Sequence, residues 1–187
     1  MFLRKSSIAS EPLAVMMCGV RMGERLLQLN APDARLAALL AAKPGMSGHS
    51  AIVVSDDRDA DRARAAVRES GVLVDVKAAS LDALPFADDA FDVIVMHDAA
   101  ATLSPLDAAT RTRALSDCRR VLRDGGRIVA LEPGTRGGLS ALLHSPSGDA
   151  AYQSAGGTAA ALEASGFRQV RLLADREGTR FIEGRRT

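Results

Sequence analysis

Short runs of β-branched and apolar residues alternate along this chain with longer stretches rich in Ala and Arg, and this alternation restricts its fold more than any other feature. A run such as Phe91 to Met96 is apolar almost throughout, as a strand must be when both faces of a sheet are covered. Strands at Arg25–Leu29, Ala51–Ser55, Val72–Ala78, Phe91–Met96 and Arg127–Leu131 are separated by segments with helical periodicity at Asp33–Ala42, Asp59–Ser70 and Ala108–Leu122. That order builds parallel strands with helices packed on both faces. Near the end, Phe167–Ala174 and Thr179–Glu183 flank a Gly178 turn and read as an antiparallel hairpin.

Punctuation residues agree with this division. Ser10 caps a short helix through Val20, with Glu11 and Pro12 in its first turn and Gly23 beyond it. Lys43-Pro44-Gly45 stops the second helix and Gly71 the third. Asp124-Gly125-Gly126 turns into the fifth strand, and residues 134–157 form a loose glycine-rich segment before a helix at Thr158–Ser165. No repeat or Pro/Ser-rich linker divides the 187 residues, so a single domain is expected, with residues 1–22 as a helical segment packed on it.

Composition removes several classes of function. Twenty-four Lys and Arg against 23 Asp and Glu leave a net charge of +1, too little for nucleic-acid or anionic-membrane binding. Aromatic residues make up 3% of the chain, with no Trp, so a base-stacking platform is not expected. Cys18 and Cys118 are a hundred residues apart, which excludes a zinc ribbon or a disulfide framework and suits a reducing, cytoplasmic setting. His49 and His144 have no metal-ligand spacing, and no metal is expected.

Leu84-Pro85-Phe86, then Phe91-Asp92-Val93-Ile94-Val95, then Arg119 through Val129 (Arg-Arg-Val-Leu-Arg-Asp-Gly-Gly-Arg-Ile-Val) fall in order within about forty-five residues. This series resembles the class I S-adenosylmethionine (SAM) dependent methyltransferases, in particular those acting on small molecules, over roughly residues 11–187. The resemblance implies an α/β, doubly wound, mostly parallel seven-stranded sheet, the Rossmann-like methyltransferase fold with its last strand antiparallel.

It also implies a set of site residues. In that family the first strand ends in an acid and a G-x-G-x-G turn, because the backbone must approach the cofactor closely. Here Gln28 stands at the acid's position, and Asn30, Pro32 and Ala34 stand where the glycines would be. Pro32 also lacks an N–H and fixes φ, so weak or absent SAM binding is expected. Asp56 matches the residue that hydrogen-bonds ribose hydroxyls, and it equally reads as the cap of the helix after it. Ser80 falls at the adenine-amine position with Leu81 beside it as a pocket wall, and the pair also reads as ordinary loop. His97, at the end of the central strand, reads either as a general base or as a strand-end residue ordering a loop. Glu132 closes the fifth strand as a polar wall or a loop-ordering carboxylate, and Arg136-Gly137-Gly138 offers backbone N–H groups to an anion. Two functions follow: a small-molecule methyltransferase with an altered cofactor loop, or a non-catalytic ligand-binding or scaffold protein on the same fold, for which a homodimer is one arrangement.

Overall fold

A computed structural model describes residues 12–134 and 150–187. Seven strands form one sheet: β1 (Arg25–Leu29), β2 (His49–Val54), β3 (Asp75–Ala78), β4 (Phe91–Met96), β5 (Leu122–Pro133), β6 (Arg168–Arg176) and β7 (Thr179–Arg185). Their order is β3-β2-β1-β4-β5-β7-β6, with β7 antiparallel to both β5 and β6 and the remaining pairs parallel. This is the doubly wound sheet that the sequence leads one to expect. Its chain reversal lies between β1 and β4, the place where open α/β sheets bind ligands.

Period-two alternation sorts the core into layers. Leu27, Leu29, Ile94 and Met96 pack with α4 (Ala99–Leu103), α5 (Ala108–Val121) and α7 (Gly157–Ala164) on one face. Leu26, Val93 and Val95 point the other way, against α1 (Leu13–Cys18) and α2 (Ala34–Ala41). A third cluster seats α3 (Asp57–Ser70) on β2 and β3 through Ala60, Ala63 and Val67.

Helix starts follow side-chain chemistry. Asp33 accepts from the N–H groups of Arg35 and Leu36, and Asp107 accepts from those of Ala109 and Thr110. The third helix begins at Asp57, two residues before the expected Asp59, because Asp56 Oδ1 accepts the Asp59 N–H at 2.8 Å. Asp57 and Asp59 then sit in the first turn, where negative charge is favoured. The third strand starts at Asp75 instead of Val72, and two short helices, α4 and α6 (Ala150–Ser154), were not anticipated. Ser10, Arg136-Gly137-Gly138 and His144 lie outside the described residues.

The motif residues turn out to be ties within the scaffold. Asp117 Oδ2 accepts the Leu84 N–H at 2.6 Å, and Arg120 donates to the carbonyls of Leu84 and Phe86 and pairs with Asp117 and Asp88. The loop Leu84-Pro85-Phe86 is thereby fastened to α5. The Phe86 ring meets Phe91 edge-on at 4.8 Å. Asp92 accepts from the Arg25 N–H at 2.6 Å and pairs with the side chains of Arg25 and Arg123, joining the entrances of β1, β4 and β5. Burial opposes ionisation of Asp92, yet these donors hold its carboxyl below the usual carboxylate range. Arg111 and Arg120 of α5 fold back onto carbonyl groups, with Arg111 also over the Tyr152 ring.

Candidate functional site

A cavity of about 410 Å³ opens at the carboxyl ends of β1, β2 and β3. Its walls are Val53, Val54, Ala79 and Leu81 from the sheet side and Leu106 and Ala114 from the α4–α5 side. Asn30, Ser55, Ser80, Asp82, Thr102 and Thr110 supply the polar groups. An apolar slot with a few polar groups at its edge is the usual form of a small-molecule site.

Of the expected site residues, Asn30, Ser80 and Leu81 line this cavity. Ser80 donates its hydroxyl hydrogen to Asp82 Oδ1, and Asp82 pairs with Arg113 at 3.7 Å. That hydrogen bond, with Arg113, holds the Asp82 carboxyl below its usual range. A carboxylate therefore stands at the rim two residues beyond Ser80, the position matched to the adenine amine. Asp56 is exposed at the cap of α3 and is not among the lining residues.

Gln28 and His97 depart from their expected places. Gln28 is fully buried, with Nε2 donating to the Ala37 carbonyl at 2.9 Å and Oε1 facing His97 Nε2 at 2.9 Å. Because the amide oxygen can only accept, Nε2 of His97 carries the hydrogen. Burial pushes the imidazole down from 6.5 to about 4, and Asp33 offsets this only in part. Strand parity explains the placement: Leu26 and Gln28 share the α2 face of β1, and Val93, Val95 and His97 share that face of β4. The cavity lies toward α5. A neutral imidazole held behind the wall is a structural tie, and no base is presented to the cavity from this position.

The loop after β1 is also placed differently from a cofactor cradle. Ala31, Pro32 and Ala34 line an adjoining hollow of about 180 Å³ with Asp59 and Arg62; Asn30 and Val54 border both hollows, and Asn30 alone of the loop lines the large one. Asn30 has φ 52° and Asp98 φ 47°, so both strands at the reversal point end in left-handed residues. Such backbone is costly outside glycine and gathers at functional sites. Asn30 Nδ2 donates to Thr102 Oγ1 at 2.8 Å, and Thr102 donates to the Asp98 carbonyl at 2.9 Å, bridging the ends of β1 and β4.

On the other side of the sheet reversal, Glu132 is buried, pairing with Arg180 at 2.9 Å and accepting from Thr158 at 2.7 Å. Tyr152 donates to Thr158 at 3.1 Å. Glu132 thus fastens α6 and α7 to the sheet. Both cysteine thiols are buried and pushed up to about 12, so neither serves as a nucleophile. Among the described residues no cluster of His, Cys, Asp and Glu could hold a metal ion, and no helix is long and apolar enough to cross a membrane.

Comparison with known proteins gives this geometry a lineage. Residues 34–130 match the family model described as a methyltransferase domain. The ubiquinone/menaquinone biosynthesis C-methyltransferase UbiE of Serratia proteamaculans is 32% identical over 116 residues, 61% of this chain and 44% of that protein. The matched stretch therefore spans less than half the length of the curated relative. Among solved structures, a SAM-dependent methyltransferase from Aquifex aeolicus superposes with a TM-score of 0.72 at 16% identity, covering 91% of this chain and 86% of that one. The [4+2]-cyclase SpnF superposes at 0.67 and 18% identity, covering 93% and 79%. The fold is thus shared with a protein named for a different reaction, and the sequence match decides the lineage. With more than half of its length matched to the domain, on the sheet order and motif ties described above, the chain belongs to the class I SAM-dependent methyltransferase family.

Proposed function

We propose that the cavity holds an adenosyl ligand by its nucleoside end, and that this chain is a methyltransferase-like protein whose transfer to a small-molecule acceptor is strongly reduced by its altered loop. One observation carries this reading: the ends of β2 and β3 and the α4–α5 face build an apolar slot with polar edges, while Ala31, Pro32 and Ala34 stand outside it. In this reading Ser80 and Asp82 meet the adenine amine, Leu81 and Leu106 flank the ring, and Asn30 faces the sugar. Asp56 keeps its role as a helix cap and reaches a ribose hydroxyl only from the rim.

SAM supplies an activated methyl group when bound, and the residues present fit its nucleoside half and not its amino-acid half. Gln28 has both amide ends engaged, and Pro32 offers no N–H. His97 is a positioning residue that holds β1, β4 and α2 in register. The second reading, a binder without transfer activity, is favoured by the burial of His97 behind the wall, which leaves Asp82, held as a carboxylate by Ser80 and Arg113, as the one titratable side chain among the lining residues.

Calorimetric titration of the intact chain with SAM, S-adenosylhomocysteine (SAH) and adenosine, together with thermal melts, tests the proposal. A ligand at a hundred times its Kd adds about 2.7 kcal/mol, enough to raise the midpoint by several degrees. Silence from all three compounds would overturn it.

A further inference from the structure

We infer that the Asn30–Thr102 bridge closes the cavity at the sheet reversal, so that the site takes adenosine-type ligands whose 5′ substituent is short, such as 5′-thioadenosines, and gains little from an amino-acid tail. The inference rests on reading the cavity as an adenosyl site and goes beyond it by naming the ligand class. Three observations support it.

The first is the path a tail would take. In the arrangement proposed above, with the ring between Leu81 and Leu106 and the sugar toward Asn30, a 5′ substituent extends toward Asn30 and Thr102, which line the cavity where β1 and β4 end. These ends are spanned by a hydrogen bond of 2.8 Å from Asn30 to Thr102, continued at 2.9 Å to the Asp98 carbonyl. The amide and the hydroxyl are thus engaged with each other.

The second is the loop itself. Ala31, Pro32 and Ala34 line the smaller hollow with Asp59 and Arg62, on the far side of Asn30 and Val54, which border both hollows, and none of the three lines the main cavity. Pro32 contributes no N–H there, and the only acidic side chain of the loop, Asp33, is spent on the cap of α2.

The third is Gln28. At the position where the resemblance expects an acid, its amide is buried and saturated by Ala37 and His97. Asp98 Oδ1 is buried and has no hydrogen-bond partner among the described residues, but Asp98 is not a lining residue of the cavity.

The test is a ligand ladder on the intact chain: adenosine, 5′-methylthioadenosine, SAH and SAM, each by calorimetry. The expected result is that 5′-methylthioadenosine binds within tenfold of SAH or more tightly. Asn30→Gly keeps the left-handed backbone while deleting the amide, and should shift the ratio at least tenfold toward SAH. Thr102→Val removes the same bond from the other side and should act in the same direction. SAH binding more than tenfold tighter than 5′-methylthioadenosine in the unaltered chain would overturn the inference while leaving the adenosyl site standing. Silence from all four compounds would overturn both.

Discussion

His97 makes the stability of this protein depend on pH in a window where few other groups titrate. In the folded chain its imidazole is buried, donates to Gln28 and has its pKa pushed from 6.5 to about 4. The unfolded chain regains the ordinary value, so between these two limits the unfolded state binds more protons. Stability is therefore fully present above pH 6.5 and is lost as pH falls toward 4, where the loss levels off. At pH 4.5 the two values give a loss of about 2.5 kcal/mol from this one residue. Asp92 and Asp117, lowered from 3.8, lose their contribution below that value, while Glu24, lowered from 4.5, begins to lose its own at the bottom of the window, a loss that a His97 variant shares. Urea denaturation at pH 7.0 and 4.5 measures the difference directly. The variant His97→Gln, compared with itself at the two pH values, should lack most of it, whatever its absolute stability. A loss below about 1 kcal/mol in the unaltered chain, or an equal loss in the variant, would refute the picture of a neutral, desolvated imidazole.

Other outcomes follow from the same contacts. Gln28→Leu leaves the His97 N–H without its partner and removes a second hydrogen bond from the Ala37 carbonyl, which keeps its helical one, and should cost about 1–3 kcal/mol in urea denaturation, the cost of one buried orphan. Arg180→Ala strands the buried Glu132 carboxylate and should cost about 3–5 kcal/mol. Thr110→Trp fills the cavity from a partly exposed position on α5, and should abolish the ligand-induced rise in melting temperature while shifting the midpoint of the free protein by only a few degrees.

Much of the scaffold was readable before any coordinates. Phe91 to Met96 announced a central strand because a strand covered on both faces has no solvent side on which to place polar residues. What joins the loop at Leu84-Pro85-Phe86 to the Arg120 region is visible only in three dimensions: Arg120 and Asp117 hold that loop by its backbone. The starts of α3 and β3 were displaced by a few residues, since Asp56, Asp57 and Asp59 all suit a helix start and only the cap geometry chooses among them.

The site was less legible. Gln28 and His97 sit at strand ends, where one residue's difference in parity decides between the crevice and the α2 face, and residue type alone does not reveal it. Their mutual hydrogen bond joins residues 69 apart in sequence. Asp82, Thr102, Leu106, Thr110 and Ala114 gave no signal of their own, because they become lining residues only once α4 and α5 fold over the ends of β2 and β3.

The central claim is that an adenosyl ligand enters the cavity between Ser80–Leu81 and α5. Mapping amide chemical-shift changes on the intact chain during titration with SAH or 5′-methylthioadenosine tests it most directly. The account predicts changes at Asn30, Ser80, Leu81, Asp82, Thr102 and Leu106, with little change in β6 or α7. No change at saturating ligand, or changes centred elsewhere, would contradict it.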